Sequence, residues 1–493
     1  MLAKKNNVIY TLFFFLATVV IQIVIFNISE YNYNSLNILG NLCLTELIIF
    51  LFVNAIISRK IISFSSLFIM ILFLFHFGQL MIYAYFRSIY SHVRFLLLLN
   101  LPNAIHGFKL INLVFLSICW GILLGELKDN SNYFPQEHQI MNQKFDWKHV
   151  SKIIIATTFP VKMFIDMRCL IVSIAQGGRA ARAWINTFPN ILLYYGKISL
   201  IGFGLLLFVM KDEPKKQRNL FLFIESYILI MMVSGIRSEN VGYLLVFLFL
   251  YFFMRKENLH IPTVILYSVI GFWVLTFVVT AGTFRGLENK NIETFFETFY
   301  DAFTEKNVIL SMFDTCGDTG YTAQCVINKW LPTHEPSYGD AYWLGWTAVI
   351  PNIPVVFTLP GKITESSCFA LKLQRAGALS SSYTNIGGSI IGELFFNFGY
   401  WGSALAAVFM GLLIGWISRK SHYYLENNNY YGIIKFFPMM FASIYWVRDY
   451  FGGGFREVVW GPFFCWILLT SFIKPLNITN QQSTRRLKPQ RRH

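Results

Sequence analysis

Seven arginines stand apart from the other cations of this chain: Arg179, Arg182, Arg237, Arg285, Arg375, Arg448 and Arg456. Most lie beside glycines, in Gly177-Gly178-Arg179-Ala180-Ala181-Arg182, Ser234-Gly235-Ile236-Arg237-Ser238 and Ala281-Gly282-Thr283-Phe284-Arg285-Gly286. Arg448 precedes a fourth such stretch, Gly452-Gly453-Gly454-Phe455-Arg456. A guanidinium keeps its charge and its fork of donors matches two phosphate oxygens at once. Glycine lets backbone amides turn toward an anion. These types at these spacings therefore point to a pocket for phosphate or diphosphate. Taken singly, each arginine fits equally well as a side chain snorkelling to lipid headgroups.

Chemistry at such a pocket needs a proton acceptor or donor. Glu393 is the only acid in Gly387-Gly388-Ser389-Ile390-Ile391-Gly392-Glu393-Leu394-Phe395-Phe396-Asn397-Phe398-Gly399. That stretch reads as a short helix, a glycine break and then a membrane helix. Asp340, Glu335 and His334 are further acid or base candidates, although a lone loop carboxylate is usually just solvated. No metal site is expected: the chain has no HExxH and no CxxC pair, and its outer segments lack D-x-D. Serine-hydrolase and P-loop signatures are also missing, and no cofactor is implied.

Other polar residues fall inside apolar runs. Lys162 and Asp166 are four apart and can pair along one helical face, a spacing that suits structural glue as well as function. Glu46, His76, Lys197 and Glu225 read as bundle-facing packing. Cys316 and Cys325 bracket Gly317-Asp318-Thr319-Gly320, and spacing alone leaves open whether they form a disulfide.

The elements that must hold these residues are membrane helices. Of 493 residues, 55% are hydrophobic and 14% charged, against about a quarter charged in soluble chains. Apolar runs of roughly 18 to 25 residues recur between short polar breaks, the length that crosses a bilayer. The runs lie at about 8–28, 38–57, 64–86, 106–126, 151–175, 191–210, 220–235, 241–254, 261–281, 400–417, 433–450 and 458–475. The N-terminal run follows Lys4-Lys5 with no small-residue cleavage site and reads as a retained first span.

Lysine and arginine orient these spans. Arg59-Lys60, Lys128 with Lys144 and Lys148, Lys211 with Lys215, Lys216 and Arg218, Arg255-Lys256, Arg419-Lys420 and the basic C-terminal stretch fall in alternate connections. Both termini are then cytoplasmic, and the glycine-arginine turns share the opposite side. The net charge of +15 orients spans and meets anionic lipid, with no nucleic-acid partner implied. The expected fold is an all-α polytopic integral membrane protein, with about twelve transmembrane helices and one large periplasmic loop. Its parts are an N-terminal bundle at 1–281, the loop with short helices at 282–389, C-terminal helices at 390–476 and a basic tail at 477–493.

Arg237 has a special place in this layout. Leu220 to Met254 leaves about 24 Å or less for each arm of a hairpin, short of a roughly 30 Å core. The turn should sit recessed, with Arg237 facing a sunken cavity or bonded to Glu239.

These features together resemble the bacterial O-antigen and capsular oligosaccharide repeat-unit polymerases of the Wzy type. The resemblance covers the topology of nearly the whole chain. Locally it rests on Ser234 to Ser238, Ala281 to Gly286, Val349-Ile350-Pro351 and, most strongly, Gly392 to Gly402 with its Phe-Gly pattern. It implies joining of undecaprenyl-diphosphate-linked oligosaccharides at the periplasmic face of the inner membrane, without a nucleotide sugar. On that reading Arg237 and Arg285 stabilise the leaving diphosphate and Glu393 takes the acceptor's proton. Arg179, Arg182, Arg448, Arg456 and Gly453 would bind the diphosphate. Trp343, with Trp330, Tyr342 and Trp346, would either stack on sugars or form an interfacial aromatic belt. A chain-length regulator and a flippase are implied partners. An O-antigen ligase, with His334 the only loop histidine offered, is a close alternative; a flippase or an acyltransferase is a more distant one.

Overall fold

The computed structural model describes residues 2–60, 62–88, 99–127, 145–234, 237–254, 292–304, 307–347, 349–350 and 388–472, with a few between 273 and 284. The first helices are α1 (Leu2–Phe26), α2 (Tyr33–Ser58), α3 (Phe64–Phe86) and α4 (Leu101–Glu126). Next come α5 (Trp147–Gln176), the short α6 (Gly178–Thr187), α7 (Asn190–Val209), α8 (Pro214–Met232) and α9 (Arg237–Met254). The expected outer segment contributes α10 (Ile292–Thr304), α11 (Val308–Cys325) and α12 (Asp340–Thr347). The chain closes with α13 (Ile390–Glu426), α14 (Tyr430–Trp446) and α15 (Phe451–Phe472). The described residues contain no strand.

Local sequence starts many of these helices. Asn32, Ser63, Asn100, Asp146, Asn307, Ser389 and Asn429 each stand just before a helix and accept a first-turn N–H with the side chain. That satisfies a donor that has no partner within the helix. Among the described residues, six helices are long and apolar enough to cross a membrane: α1, α2, α3, α4, α7 and α13. The other expected spans also fall on helices, except 261–281, most of which lies outside the described residues. Those helices are either short or carry charges such as Lys162, Asp166 and Arg168 in α5. The chain is a multi-pass, all-helical membrane protein.

Two helix crossings are closed by glycine. Gly121 and Gly125 of α4 face Gly411 and Gly415 of α13, a small-xxx-small pattern on both partners. A Cβ at Gly411 would stand 2.2 Å from the Ile118 carbonyl oxygen, and one at Gly121 2.1 Å from that of Val408. Only glycine admits backbones this close, and close packing is what binds helices in lipid. The second crossing joins α11 to α3: a Cβ at Gly78 would meet the Phe313 carbonyl oxygen at 2.4 Å, and one at Gly320 that of His76 at 2.3 Å.

That second crossing bears on the expected outer loop. Helix α11 is packed against α3, with Thr319, Tyr321, Thr322, Ala323, Gln324 and Cys325 buried. Cys316 and Cys325 stand on this one helix, nine residues and roughly 13 Å apart at 1.5 Å per residue. A disulfide needs Cα atoms within about 7 Å, so the two are not bridged to each other.

One end of the bundle gathers many helix termini. Gly454, near the start of α15, lies against Ala442, near the end of α14. Lys197 of α7 meets Glu239 at the start of α9 and Glu457 in the second turn of α15. Arg448, just after α14, sits over Phe75 of α3. The end of α14 and the starts of α7, α9, α13 and α15 therefore gather at one end of the bundle, beside the middle of α3.

Candidate active site

The floor of this end is an ion cluster on three helices. Lys197 Nζ lies 2.6 Å from Glu457 Oε1 and 3.0 Å from Glu239 Oε1. The Tyr243 hydroxyl donates to Glu457 Oε2. Glu239 is the third residue of α9, whereas Lys197 is the eighth of α7 and Glu457 the seventh of α15. Helix α9 thus begins roughly 6–8 Å deeper than its neighbours at 1.5 Å per residue. The start of α9 is thus recessed relative to the starts of α7 and α15. A small cavity lined by Tyr194, Lys197, Tyr243 and Glu457 opens beside the cluster. Next to it, Lys162 pairs with Asp166 at 2.9 Å, and the Tyr227 hydroxyl donates to Asp166 Oδ2 at 2.5 Å.

Glu393 occupies the other half of the same end. It is fully buried in the first turn of α13, where Gly399 (φ 67°) separates a short helix from the long one after it. Its Oε2 accepts the Trp446 Nε1–H at 2.5 Å and the Phe451 N–H at 3.1 Å, and the same N–H lies 3.4 Å from Oε1. The carboxylate therefore pins the start of α13 to the α14–α15 turn that carries Arg448. Ser389, which caps α13, contacts His76 of α3 at 2.8 Å.

Helix α12 covers this turn. Gly345 lies against Phe451 and Gly452, and the Trp460 Nε1–H donates to the Val349 carbonyl. Tyr342 packs edge-on against Trp446 and Phe451, and its buried hydroxyl has no hydrogen-bond partner among the described residues. Burial, and then the nearby Glu393 carboxylate, push that hydroxyl's pKa well up. The Trp330 Nε1–H is likewise buried without an acceptor, while its ring stacks on His334 at 3.9 Å.

The residues expected from sequence are distributed as follows. Arg448, Gly453 and Arg456 lie together at the α14–α15 turn, with Gly453 against the Tyr445 ring. Trp343 is exposed on α12. Arg237 begins α9, two positions before Glu239, and Arg179 and Arg182 belong to α6 at the end of α5. Arg285 lies outside the described residues. Sequence reasoning missed Glu239 with Glu457 as partners of Lys197, and Ser389 as the partner of His76. A lysine and a histidine inside apolar runs were the available signals, since such groups need buried partners.

A long all-helical chain matches one family across nearly its whole length: O-antigen polysaccharide polymerase Wzy, over residues 7–480. The chain belongs to that family. No curated protein and no solved structure matches it. Membership establishes a polysaccharide polymerase role in general, in keeping with the resemblance carried by Gly392 to Gly402. Among the described residues no group of three or more His, Cys, Asp and Glu side chains is arranged to hold a metal.

Proposed function

We propose that this polymerase joins undecaprenyl-diphosphate-linked oligosaccharide repeat units, by glycosyl transfer at the periplasmic face of the inner membrane. Both termini are then cytoplasmic, and the end of the bundle that carries Lys197, Glu239, Glu393 and Arg448 faces the periplasm. The observation that carries this reading is the convergence of the Arg448–Arg456 turn and the recessed start of α9, at Arg237, on one end of the bundle.

Transfer breaks the bond between the donor's anomeric carbon and a phosphate oxygen, and forms one from that carbon to an acceptor hydroxyl oxygen. Negative charge grows on the departing diphosphate. Fixed cations placed there favour the transition state over the ground state. Arg237 and Arg285 are proposed for that charge, and Arg179, Arg182, Arg448 and Arg456 for holding the diphosphate, with Gly453 letting the chain approach. The acceptor proton falls to a carboxylate at this end, Glu393 or one of the Glu239–Glu457 pair. Trp343 is proposed as a sugar platform. No metal or cofactor takes part in this reading. A chain-length regulator and a flippase are the proposed protein partners.

The test is the banding of surface polysaccharide in cells lacking the gene, complemented with wild type, Arg237→Ala or Arg448→Ala. The expected result is loss of the ladder with a single unit still on the lipid core, restored by wild type alone at equal protein level. Polymer left on the undecaprenyl lipid, with nothing on the core, would make the protein a ligase. Units trapped on the cytoplasmic face would make it a flippase.

A further inference from the structure

We propose that Glu239 is the group that takes the proton from the acceptor hydroxyl, with Lys197 and Glu457 setting its charge. This rests on the polymerase reading above. Two carboxylates, Glu239 and Glu457, share one ammonium, that of Lys197. With both ionised, the cluster carries one negative charge in excess, in surroundings where an uncompensated charge is costly. Uptake of one proton leaves a neutral Lys197–carboxylate pair. The cluster is therefore poised to accept a proton, as a general base must be.

Geometry chooses between the two carboxylates. Both oxygens of Glu457 are engaged, Oε1 by Lys197 and Oε2 by the Tyr243 hydroxyl, and its side chain is 8% exposed. Glu239 stands at the recessed helix start, is 19% exposed and lies two positions after Arg237. Glu393 has no exposed surface, and its oxygens face the Trp446 and Phe451 N–H groups. A hydroxyl brought to the recess by a diphosphate on the arginines meets Glu239 first. Its proton passes to a Glu239 oxygen while its oxygen bonds the donor's anomeric carbon. The diphosphate leaves with the electrons of the broken bond, and the proton then returns to water.

Several groups around Glu239 tune this uptake. They are Cys169 of α5 with the Lys162–Asp166 pair beside it, Lys197 of α7, Tyr243 of α9, Tyr445 of α14 and Glu457 of α15.

The experiment uses full-length protein in lipid nanodiscs with the lipid-diphosphate-linked repeat unit as substrate, and undecaprenyl diphosphate as the binding probe. Glu239→Gln should lower kcat by about 100-fold or more, the usual contribution of a general base, with diphosphate binding unchanged within threefold. Glu239→Asp should restore part of kcat, and the acidic limb of the wild-type kcat/KM profile should vanish in Glu239→Gln. A kcat within threefold of wild type for Glu239→Gln overturns the proposal. So does a parallel loss of binding and thermal stability that Glu239→Asp does not rescue, which would make the cluster structural. If wild-type protein fails to extend the repeat unit at all, the polymerase reading itself falls, whatever the variants do.

Discussion

The imidazole of His76 and the hydroxyl of Ser389 meet at 2.8 Å, joining the middle of α3 to the first residue before α13. The other ring nitrogen, Nδ1, lies 2.9 Å from the Leu72 carbonyl oxygen, so it carries the proton and Nε2 accepts from Ser389. Ser389 Oγ in turn accepts the Gly392 N–H at 3.0 Å. One hydroxyl thus caps a helix and ties it to a neighbour. Both residues are buried, so His76→Ala leaves the Ser389 hydroxyl without its acceptor. That should cost about 1–3 kcal/mol, read as a lower unfolding temperature in detergent. Ser389→Ala loses the cap as well and should fall in the same range. A His76→Ala protein as stable as wild type would show that the contact does not hold α13 in place.

Glu393 makes a similar tie one turn further on. Glu393→Ala strands the Trp446 Nε1–H and the Phe451 N–H without an acceptor, at about 1–3 kcal/mol for each buried donor. Glu393→Gln keeps one acceptor oxygen and should lose less stability. The double variant Glu393→Gln with Trp446→Phe removes the indole donor, leaves one oxygen for the Phe451 N–H, and should be more stable than Glu393→Ala. Activity separates two roles: if Glu393 only anchors the turn, Glu393→Gln keeps kcat within tenfold, whereas a base at this position would lose 100-fold or more.

The α4–α13 crossing should tolerate almost no added volume. A Cβ at Gly411 falls 2.2 Å from the Ile118 carbonyl oxygen, an atom of a helix backbone that can only move as a whole. Gly411→Ala should cost about 1–3 kcal/mol as overpacking, and Gly411→Leu should abolish accumulation of folded protein. The check is fluorescence-detected size exclusion of each variant in mild detergent. Leu413 on the same helix is exposed, and Leu413→Ala is the control expected to behave as wild type.

Local features of the end where these residues sit were legible in the sequence, and its long-range partners were not. The glycine break after Phe398 appears as Gly399 with φ 67°, because that conformation favours a residue without Cβ. The Lys162–Asp166 pair is four residues apart and forms as helical spacing requires. Counting residues against bilayer thickness points to a recessed α8–α9 turn, and the described start of α9 does lie deeper than those of α7 and α15. Lys197, by contrast, finds Glu457 260 positions away, and no local periodicity carries that choice. Helix α11 shows why the expected loop was incompletely read. An amphipathic stretch announces a helix, but whether its small-residue face meets water or α3 is decided by the Gly78 and Gly320 crossing.

The α7–α8 turn has a pH response of defined sign. Hydrogen bonds from Lys148 at 2.6 Å and then Lys216 at 2.5 Å lower the Glu213 carboxyl's pKa to about 2. A lowered folded-state value means that its contribution is present above the ordinary carboxylate range, and is lost as pH falls toward about 2. The group is solvent-exposed, so the contribution is small. Glu213→Gln should leave the unfolding temperature nearly unchanged at neutral pH and flatten its fall between pH 5 and 3, by roughly one degree or less of difference. A large destabilisation at neutral pH would show that the two lysines do more than meet a surface carboxylate.

Tyr342 separates packing from ligand contact more directly. Its ring is held by Phe398 at 5.8 Å, Trp446 and Phe451, whereas its hydroxyl is buried and bonded to nothing described. A buried hydroxyl without a partner costs about 1–3 kcal/mol, so removing it costs the fold nothing. Tyr342→Phe should therefore unfold at the same temperature as wild type or slightly higher. If the hydroxyl instead awaits a sugar group under α12, the same variant should raise KM for the repeat unit by about five- to tenfold, the worth of one hydrogen bond. Tyr342→Ala would lose ring packing and fall in stability, so it serves as the reference for a purely structural effect. A Tyr342→Phe protein with unchanged KM and raised stability would assign the residue to packing alone.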